Sequence, residues 1–372
     1  MKVLLLAGEE SGEIYARRIR EGLAKVRPDA EVRGYADYGF RIADLAVMGI
    51  GQVLKKIFYF LRVKRTMERA IADWRPDVVC TVDYPGMNLK LAGFAKAHGI
   101  RAVHVVCPQV WAWKQGRIPK IEAALDKLCC FFPFEPKLFT PGFAEFVGHP
   151  LADAFASESR SKGEVERRSG KVLAILPGSR MGEIEKHMPV LLEVVEKLRR
   201  EIPDLKVVIP AANERAYSAI TSQTSQTSQT FQTFQTSQAF CIIRGGARDV
   251  LRRVDAAVVA SGTATLEAAL ANCPTVLVYR VGWLFAAIAR RVIKGVRHVG
   301  LANVIAEKAG AECPMPECLQ EDFTAENVLS HLRPWLADAA ANRAARQGLA
   351  DTMRLLKTDG DAMARIIRTL LP

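Results

Sequence analysis

A lone carboxylate, Asp83, follows a strand-like apolar run and is the first residue here whose type and position could do chemistry. The run covers Val78–Val82, and residues 84–86 (Tyr-Pro-Gly) have the composition of a turn. Ligand clefts of open α/β sheets lie beyond the carboxyl ends of the strands, where a carboxylate can take a proton from a substrate hydroxyl. Asp83 is therefore our candidate general base, and simple capping of the next turn is the alternative.

An acidic glycine loop, GEESGE at residues 8–13, follows the first apolar run. Glycine at a strand-to-helix turn lets a ligand approach the backbone, and the helix start offers free N–H groups. The three glutamates would repel a pyrophosphate, so the loop favours sugar hydroxyls, with Glu10, Ser11 and Gly12 as candidate contacts. A tight turn with Ser11 as the helix cap is the open alternative.

Two tryptophans lie in the loop after another apolar run, residues 102–106. Trp111 and Trp113 are followed by Lys114 and Arg117. Indole rings can hold a sugar ring or an acyl chain, and neighbouring cations can hold a phosphate. Both tryptophans are therefore candidates for acceptor or sugar binding, while packing of the two rings in the core is an equal alternative.

The second half of the chain has two further loops suited to phosphate. Gly178 and Ser179 allow close backbone approach after the run 172–176, and Arg180 can bind phosphate oxygens with two hydrogen bonds. This loop lacks the GK[ST] ending of a Walker A motif, which excludes a P-loop.

The other loop, residues 261–263, follows the run 256–260 and opens a helix whose free N–H groups suit a diphosphate. Its members Ser261, Gly262 and Thr263 are candidates for nucleotide binding, and Glu267, one helical turn on, could accept hydrogen bonds from ribose hydroxyls. Two such loops in one Rossmann-like half, without a nicotinamide fingerprint, indicate a nucleotide-sugar pocket.

Parallel βαβ units are needed to bring these loops together, and the apolar pattern predicts them. Short apolar runs rich in β-branched residues alternate with helical stretches in both halves, and the carboxyl end of the chain is helical throughout. We therefore predict an α/β fold with two Rossmann-like parallel-sheet domains facing a cleft, and C-terminal helices. The predicted domains are residues 1–160 and 161–340, with helices at 341–372 packing across both. The Thr-Ser-Gln repeat at 221–238 fits neither a helical nor a strand period and predicts a flexible excursion.

Charge and hydropathy narrow the choice of partner. Among 372 residues, 52 Lys and Arg against 40 Asp and Glu give a net charge of +12, which favours an anionic partner. The predicted helix 53–74 has a core stripe that includes Ile57, Val63, Met67 and Ile71. Its second apolar stripe has basic neighbours, as expected of a surface that settles on an anionic membrane. The candidates for membrane contact are Leu54, Lys55, Phe58, Leu61 and Arg62. A buried helix with a solvated basic face is the alternative.

Several classes of protein are excluded or disfavoured by the sequence. No apolar run approaches the roughly 20 residues that cross a bilayer, and the first run is too short for a signal peptide. The eight cysteines form no CxxC pair and the six histidines have no metal-ligand spacing, so we expect no metal, no cofactor and a reducing cytoplasm. Basic residues accompany aliphatic rather than base-stacking surface, which argues against nucleic acid.

Taken together, the motifs resemble the lipid-A-disaccharide synthase family. The matching stretches follow the family's order along nearly the whole chain, and Gly86 is a departure, since the family commonly has aspartate there. They include GEESGE (8–13), VDYPGMN (82–88), CPQVWAWKQGRIPKI (107–121), FFPFE (131–135), LPGSRMGEIE (176–185), ASGTATLEAALANCP (260–274) and LANVIA (301–306).

This resemblance implies an inverting, metal-independent glycosyltransferase of the GT-B fold. It would transfer the sugar of UDP-2,3-diacylglucosamine to the 6-hydroxyl of 2,3-diacylglucosamine 1-phosphate (lipid X), giving the β-1,6 lipid A disaccharide and UDP. The first domain would bind acceptor and lipid, the second the UDP-sugar, and the protein would attach peripherally to the inner membrane. Its oligomeric state stays open.

The resemblance also assigns residues. Asp83 falls on the family's essential aspartate. The positions that fall on its nucleotide- and diphosphate-binding residues are Arg180, Ser261, Gly262, Thr263, Glu267, Tyr279 and Asn303. A UDP-sugar 2-epimerase of the same fold, and a nucleotide-sugar-binding protein without turnover, are the rival hypotheses.

Overall fold

The computed structural model describes residues 1–45, 56–161, 170–230, 240–282 and 295–371. They form two compact units, one of Met1–Asp153 with Leu356–Pro372 and the other of Ala154–Leu355. Each unit has its own parallel sheet, so the predicted α/β class with two Rossmann-like sheets is confirmed.

The first unit contains a six-stranded sheet in the order β2-β1-β3-β4-β5-β6, with every neighbouring pair parallel. Its strands are β1 (Lys2–Ala7), β2 (Glu31–Arg33), β3 (Val78–Val82), β4 (Arg101–Val105), β5 (Lys127–Cys130) and β6 (Ala144–Phe146). Val82 lies opposite Ala7 on one side and Val105 on the other. The carboxyl ends of β1, β3 and β4 are therefore side by side.

The second unit repeats this plan in the order β12-β11-β10-β7-β8-β9, again with parallel neighbours. Its strands are β7 (Val172–Leu176), β8 (Lys206–Ala211), β9 (Cys241–Arg244), β10 (Ala256–Ala260), β11 (Thr275–Tyr279) and β12 (Glu317–Leu319). Leu176 pairs with Val259, and Ala260 pairs with Val278. The loops after β7, β10 and β11 thus emerge from one edge.

Helices connect the strands. In the described residues they are α1 (Glu10–Val26), α2 (Ile42–Leu45), α3 (Ile57–Trp74), α4 (Pro85–Ala97), α5 (Ile118–Ala124), α6 (Pro150–Ser161), α7 (Met181–Glu201), α8 (Glu214–Thr230), α9 (Ala247–Leu251), α10 (Thr263–Leu270), α11 (Leu301–Ala309), α12 (Ala325–Ala337), α13 (Ala339–Arg354) and α14 (Ala362–Leu370). Short 3-10 turns lie at Tyr35–Tyr38, Gln115–Arg117, Pro136–Leu138 and Gln320–Asp322.

Both faces of the first sheet are covered by helices, and successive residues of a buried strand pack on opposite faces. In β3, Val78, Cys80 and Val82 pack with α1 and the last helix, α14, whereas Val79 packs with α3 and α4 on the other face. Parallel strands buried on both faces read as continuous apolar runs, which is the pattern that predicted them. The chain's last helix therefore closes the core of the first unit.

The Thr-Ser-Gln repeat is where the sequence prediction was wrong. Helix α8 continues through Thr230, so the first part of the expected flexible excursion is helical, and residues 231–239 lie outside the described ranges. The hydroxyls of Thr221 and Thr224 donate to the carbonyl oxygens of Tyr217 and Ile220 at 2.8 and 3.0 Å. Each hydroxyl thus bonds to the carbonyl oxygen of the residue four positions earlier, which a helix can accommodate. The buried residues at the start of α8 stabilise the helix, and the threonines extend it.

The amphipathic helix is only partly described. Val63, Met67 and Ile71 of α3 are buried, as predicted, but the assignment of Ile57 to the core stripe is wrong, because its side chain is 42% exposed. Leu54 and Lys55 lie outside the described residues. Phe58 is 84% exposed, Leu61 44%, and Arg62 is also exposed. No helix in the ranges given above is long and apolar enough to cross a bilayer.

Candidate functional site

Asp83 sits in a strained turn at the carboxyl end of β3. Its φ is 50° and that of Tyr84 is 51°, and both values lie in the left-handed region. Its N–H donates to Val105 O at 2.9 Å, and its Oδ1 accepts from Tyr84 N at 2.8 Å. Val106, at the end of the neighbouring strand, has a φ of 77°, which is costly for a β-branched residue. Such strain is concentrated at functional sites, where the surrounding structure holds it.

Asn88, which the sequence analysis did not single out, stabilises this turn through buried hydrogen bonds. Its side chain is fully buried, and its Nδ2 donates to the carbonyl oxygens of Leu6, Val82 and Asp83 at 3.2, 3.1 and 2.8 Å. Its Oδ1 accepts from the hydroxyl of Tyr35 at 2.9 Å. One amide therefore joins the ends of β1 and β3 and fixes the backbone that carries Asp83.

The acidic glycine loop packs directly on the same turn. A Cβ added at Gly8 would lie 2.2 Å from the Tyr84 ring, and one at Gly12 would lie 3.2 Å from Val82 O. Helix α1 begins at Glu10 after Glu9, with no side-chain cap, so the alternative in which Ser11 caps the helix is wrong. The side chains of Glu10 and Ser11 are outside the described part of the structure.

Gly8→Ala tests this close approach. Because the added methyl group meets the base of the Tyr84 ring, we expect a loss of about 1–3 kcal/mol in the free energy of unfolding, as for an overpacked core. Chemical denaturation measures it. Gly86→Ala is the matched control, since nothing lies within 4 Å of its added Cβ and the unfolded chain loses freedom. Equal destabilisation by both substitutions would contradict the packing argument.

Burial makes Asp83 a better proton acceptor than an exposed aspartate. Desolvation raises the pKa of Asp83, and the hydrogen bond from Tyr84 N only partly offsets this. The pKa of Glu9 is also raised, by burial first and then by the negative charge of Asp83. The two carboxyl groups therefore interact electrostatically. Asp83 binds a proton more tightly than an ordinary aspartate does.

A cavity of about 260 Å³ opens beside Asp83. Its walls also include Val106, Gln109, Trp113, Arg117 and Glu135. Trp113 is 37% exposed and lies in the wall. Trp111 is 4% exposed and lies behind the wall, edge-on to Phe132 and Phe134, so the alternative of core packing applies to it.

Glu135 is a buried carboxyl group that the sequence analysis quoted within FFPFE but did not single out. It is 1% exposed, and it accepts hydrogen bonds from Trp111 Nε1 at 3.0 Å, Phe131 N at 3.1 Å and Phe132 N at 3.0 Å. Burial raises its pKa to about 8, although these donors favour the charged form. Glu135 thus holds the tryptophan loop and the turn after β5 against each other.

Cys107, Cys130 and Glu135 are the residues of this site whose ligand atoms lie close enough together, within 4.8 Å, to hold a metal ion. The hydrogen bond to Cys107 and burial raise the pKa of the Cys130 thiol, which therefore stays protonated. The carboxylate already has three N–H donors. A metal would have to displace protons and compete with those donors, so the group is best described as a buried hydrogen-bonded cluster.

The raised pKa of Glu135 predicts how stability depends on pH. The folded state holds a proton that the unfolded chain releases near pH 4.5, so the stability is full below that pH and is lost as the pH rises toward 8. Glu135→Gln cannot titrate. From pH 5 to 8 we expect the free energy of unfolding of the wild type to fall by up to ~1.4 kcal/mol per pH unit more than that of Glu135→Gln. The exposed Glu21→Gln should follow the wild type; parallel curves for Glu135→Gln and wild type would refute the assignment.

In the second unit, the loop after β7 brings Gly178, Ser179 and Arg180 to the sheet edge. Gly178 has a φ of 119°, and a Cβ there would lie 2.6 Å from Glu183 Oε2, so only glycine fits. Arg180 Nη1 pairs with Glu183 Oε1 at 2.9 Å, and its side chain is 58% exposed. A solvent-facing guanidinium beside Glu183 is of the type that binds a diphosphate.

The loop after β10 leads directly into helix α10. Ser261 N donates to Val278 O, and Gly262, with a φ of 152°, precedes Thr263 at the start of α10. Gly262 and Thr263 are exposed. Glu267 is paired with Arg248 Nε at 2.8 Å and only partly exposed, so a ribose would have to compete with that arginine.

His187 joins two of these loops and was missed in the sequence. Its ring is fully buried; Nδ1 lies 2.7 Å from Pro177 O, and Nε2 accepts from Arg280 N at 3.0 Å. This pattern assigns the proton to Nδ1, and burial lowers the pKa, so the ring is neutral. The ring of Tyr279, at the end of β11, lies 5.8 Å away. His187 therefore fixes the loop after β7 to the end of β11.

Asn303 is positioned differently from a ligand-facing residue. It is 1% exposed; its Nδ2 donates to Met315 O and Glu317 Oε1, and its Oδ1 accepts from Met315 N. Each polar atom is thus used within the chain. In this structure Asn303 stabilises the start of α11 rather than lining a pocket.

Comparisons with known proteins identify the family of the chain. The family model described as lipid-A-disaccharide synthetase matches residues 3–365. The chain is 34% identical over 390 residues to the lipid-A-disaccharide synthase of Myxococcus xanthus (strain DK1622), covering 100% of this chain and 98% of the relative. It is 33% identical over 373 residues to that of Anaeromyxobacter dehalogenans (strain 2CP-C), covering 96% and 94%.

Solved structures share the fold at low sequence identity. A UDP-GlcNAc 2-epimerase from Neisseria meningitidis, bound to UDP-GlcNAc, matches with a TM-score of 0.63 at 13% identity, covering 100% of this chain and 99% of that one. MurG of Acinetobacter baumannii matches with a TM-score of 0.53 at 12% identity, covering 99% and 98%. The fold is thus shared with this epimerase and with MurG, whereas the sequence relatives are lipid-A-disaccharide synthases. The chain belongs to the lipid-A-disaccharide synthase family, whose members are glycosyltransferases of the GT-B fold.

Proposed function

We propose that this chain joins UDP-2,3-diacylglucosamine to lipid X with Asp83 as general base and Arg180 at the leaving diphosphate. The family membership supplies the reaction. The observation that supports the residue assignment best is the position of Asp83. It is a partly desolvated carboxylate in the wall of a cavity, at the carboxyl edge of a parallel sheet.

The proton and electron changes follow from this arrangement. The acceptor's 6-hydroxyl loses its proton to the Asp83 carboxylate while its oxygen forms a bond to carbon 1 of the donor sugar. The bond between that carbon and the diphosphate oxygen breaks, and UDP leaves with the electron pair. Attack on the face opposite the diphosphate inverts the anomeric carbon and gives the β-1,6 linkage.

In the second unit, the groups for departing UDP would be Arg180 and the N–H groups of the loop at Gly262 and Thr263. Charge develops on the diphosphate as its bond to the sugar breaks, and a preorganised cation and N–H donors stabilise that charge without reorganising. Arg180 presents such a cation at the sheet edge. Its ion pair with Glu183, which packs against Gly178, sets the position of the guanidinium before UDP binds. This arrangement would assist the leaving group with side chains and backbone alone.

UDP release distinguishes this function from epimerisation. With UDP-2,3-diacylglucosamine alone, we expect no sustained release of UDP, and adding lipid X should start it, because the acceptor supplies the nucleophile. A 2-epimerase would change the donor at carbon 2 without needing the acceptor. Conversion of the donor alone would favour the epimerase.

We also propose that the exposed start of α3 attaches the protein to an anionic membrane. Phe58 is 84% exposed and Leu61 44%, with Arg62 and Arg65 on the same exposed part of the helix. A lipid-facing aromatic ring beside arginines gains free energy both from apolar burial and from anionic headgroups. The acylated substrates would be held in such a surface by their chains.

Phe58→Glu should weaken binding to phosphatidylglycerol-rich vesicles about 10-fold or more, since the buried ring is lost and a negative charge is added. Co-sedimentation measures it, with phosphatidylcholine vesicles for comparison. Val26→Glu, a 55% exposed apolar residue at the end of α1, is the matched control and should bind as the wild type does. Unchanged binding by Phe58→Glu would exclude this surface.

A further inference from the structure

Arg117 is the positively charged member of the cavity wall that also contains Asp83. It is partly buried at the end of the 3-10 turn Gln115–Arg117, where α5 begins. Within the described ranges, no ion pair or side-chain hydrogen bond is found for its guanidinium. The other ionisable groups in the wall are the carboxyl groups of Asp83 and Glu135, and neither is within ion-pair distance of it.

A partly buried arginine without a carboxylate partner can offer its N–H groups to an anionic ligand. A guanidinium offers five N–H donors in a planar fork, which matches the oxygens of a phosphate group and forms two parallel hydrogen bonds. Lys114, three residues earlier, stacks on the Trp113 ring at 4.4 Å and adds a second positive charge beside the cavity. The wall therefore has a cationic side near Arg117 and a basic carboxylate at Asp83.

We propose that Arg117 binds the anomeric phosphate of the acceptor and so selects a sugar 1-phosphate over the unphosphorylated sugar. This inference rests on the proposed function, since it places one acceptor in the cavity with its 6-hydroxyl at Asp83. In a hexopyranose, the ring oxygen is flanked by carbon 1 and by carbon 5, which carries carbon 6, so a phosphate on carbon 1 and a hydroxyl on carbon 6 can contact two different walls. A cavity of about 260 Å³ is just below the size of drug-like sites and suits a single sugar head with its acyl chains outside.

Acceptor selectivity tests the proposal. We compare kcat/KM for lipid X with that for 2,3-diacylglucosamine lacking the phosphate, in wild type and in Arg117→Met. Loss of a charge-assisted bidentate contact should lower kcat/KM for lipid X about 10- to 100-fold, mostly through KM. The ratio of kcat/KM for the phosphorylated acceptor to that for the unphosphorylated one should decrease by the same factor. Arg117→Lys should restore part of this ratio.

Lys90→Met is the control, because Lys90 is an exposed cation on α4 outside the cavity wall. It should keep the wild-type selectivity. If Arg117→Met lowers kcat/KM for both acceptors equally, or keeps the preference for phosphate, Arg117 does not read the phosphate and the proposal is wrong.

Binding of the soluble head groups tests Arg117 without turnover. Calorimetric titration with glucosamine 1-phosphate should give weaker binding to Arg117→Met than to wild type or Lys90→Met, and glucosamine should bind all three alike. If the wild type makes no disaccharide but this difference is found, the proposed function fails while the phosphate site stands. If disaccharide forms but the difference is missing, the phosphate site fails alone.

Discussion

Asp83→Asn is expected to lower kcat about 10²- to 10⁴-fold, the range for loss of a general base, while the donor still binds. The amide keeps the shape of the side chain but cannot take the proton of the acceptor's 6-hydroxyl. The wild-type rate should also rise with pH through the raised pKa of Asp83 and then level off, because the carboxylate is the active form. UDP release at saturating substrates measures both effects.

Asp77→Asn is the matched control for this substitution. Asp77 flanks the same strand at its amino end, where its Oδ2 accepts from Lys2 N at 2.7 Å, far along β3 from the cavity. It should change kcat by less than about 2-fold, as expected for a surface substitution away from the site. Equal rates for Asp83→Asn and wild type would remove Asp83 from its role.

Arg180→Ala is expected to lower kcat about 10²- to 10³-fold, as when a preorganised donor to the developing charge is removed. Arg180 is solvent-facing and paired with Glu183 on the first turn of α7, so its loss should leave the melting temperature nearly unchanged. The loss should appear in kcat more than in KM if the contact strengthens as UDP departs. Steady-state kinetics with varied donor separates the two.

Arg200→Ala is the control for Arg180→Ala. Arg200 is similarly exposed, at 64%, and it pairs with Glu196 on the same helix, at the opposite end from the β7 loop. A general effect of removing positive charge or a surface ion pair would appear in both variants. If Arg200→Ala is as slow as Arg180→Ala, the proposed role of Arg180 is wrong.

The sequence predicted those features that depend on local pattern. Central strands such as β3 and β10 are buried on both faces, so their apolar runs gave the bounds seen in the structure. The order of parallel strands then brings residues that follow different strands, such as Arg180 and Ser261, to one edge. The edge strands β2 and β6 were not predicted, because three residues with charged members carry no apolar run.

The residues that the sequence did not reveal act through contacts between distant segments. Asn88 joins β1 to β3, and His187 joins the loops after β7 and β11. Glu135 could not be recognised as buried, because glutamate is usually exposed and its donors include the indole of Trp111, 24 residues away. The only local signal for Asn88 and His187 was that each lies near a loop already chosen for its chemistry, whereas Glu135 lies in a stretch, FFPFE, noted only for its family resemblance.

Mass analysis of the product tests the central claim most directly. The purified protein is incubated with UDP-2,3-diacylglucosamine and lipid X, and the lipid fraction is analysed. We predict a β-1,6-linked tetraacylated disaccharide 1-phosphate, with one UDP released for each disaccharide, and almost none of either product from Asp83→Asn. Recovery of both lipids unchanged from the folded wild-type protein, or an epimerised donor instead of the disaccharide, would contradict the account.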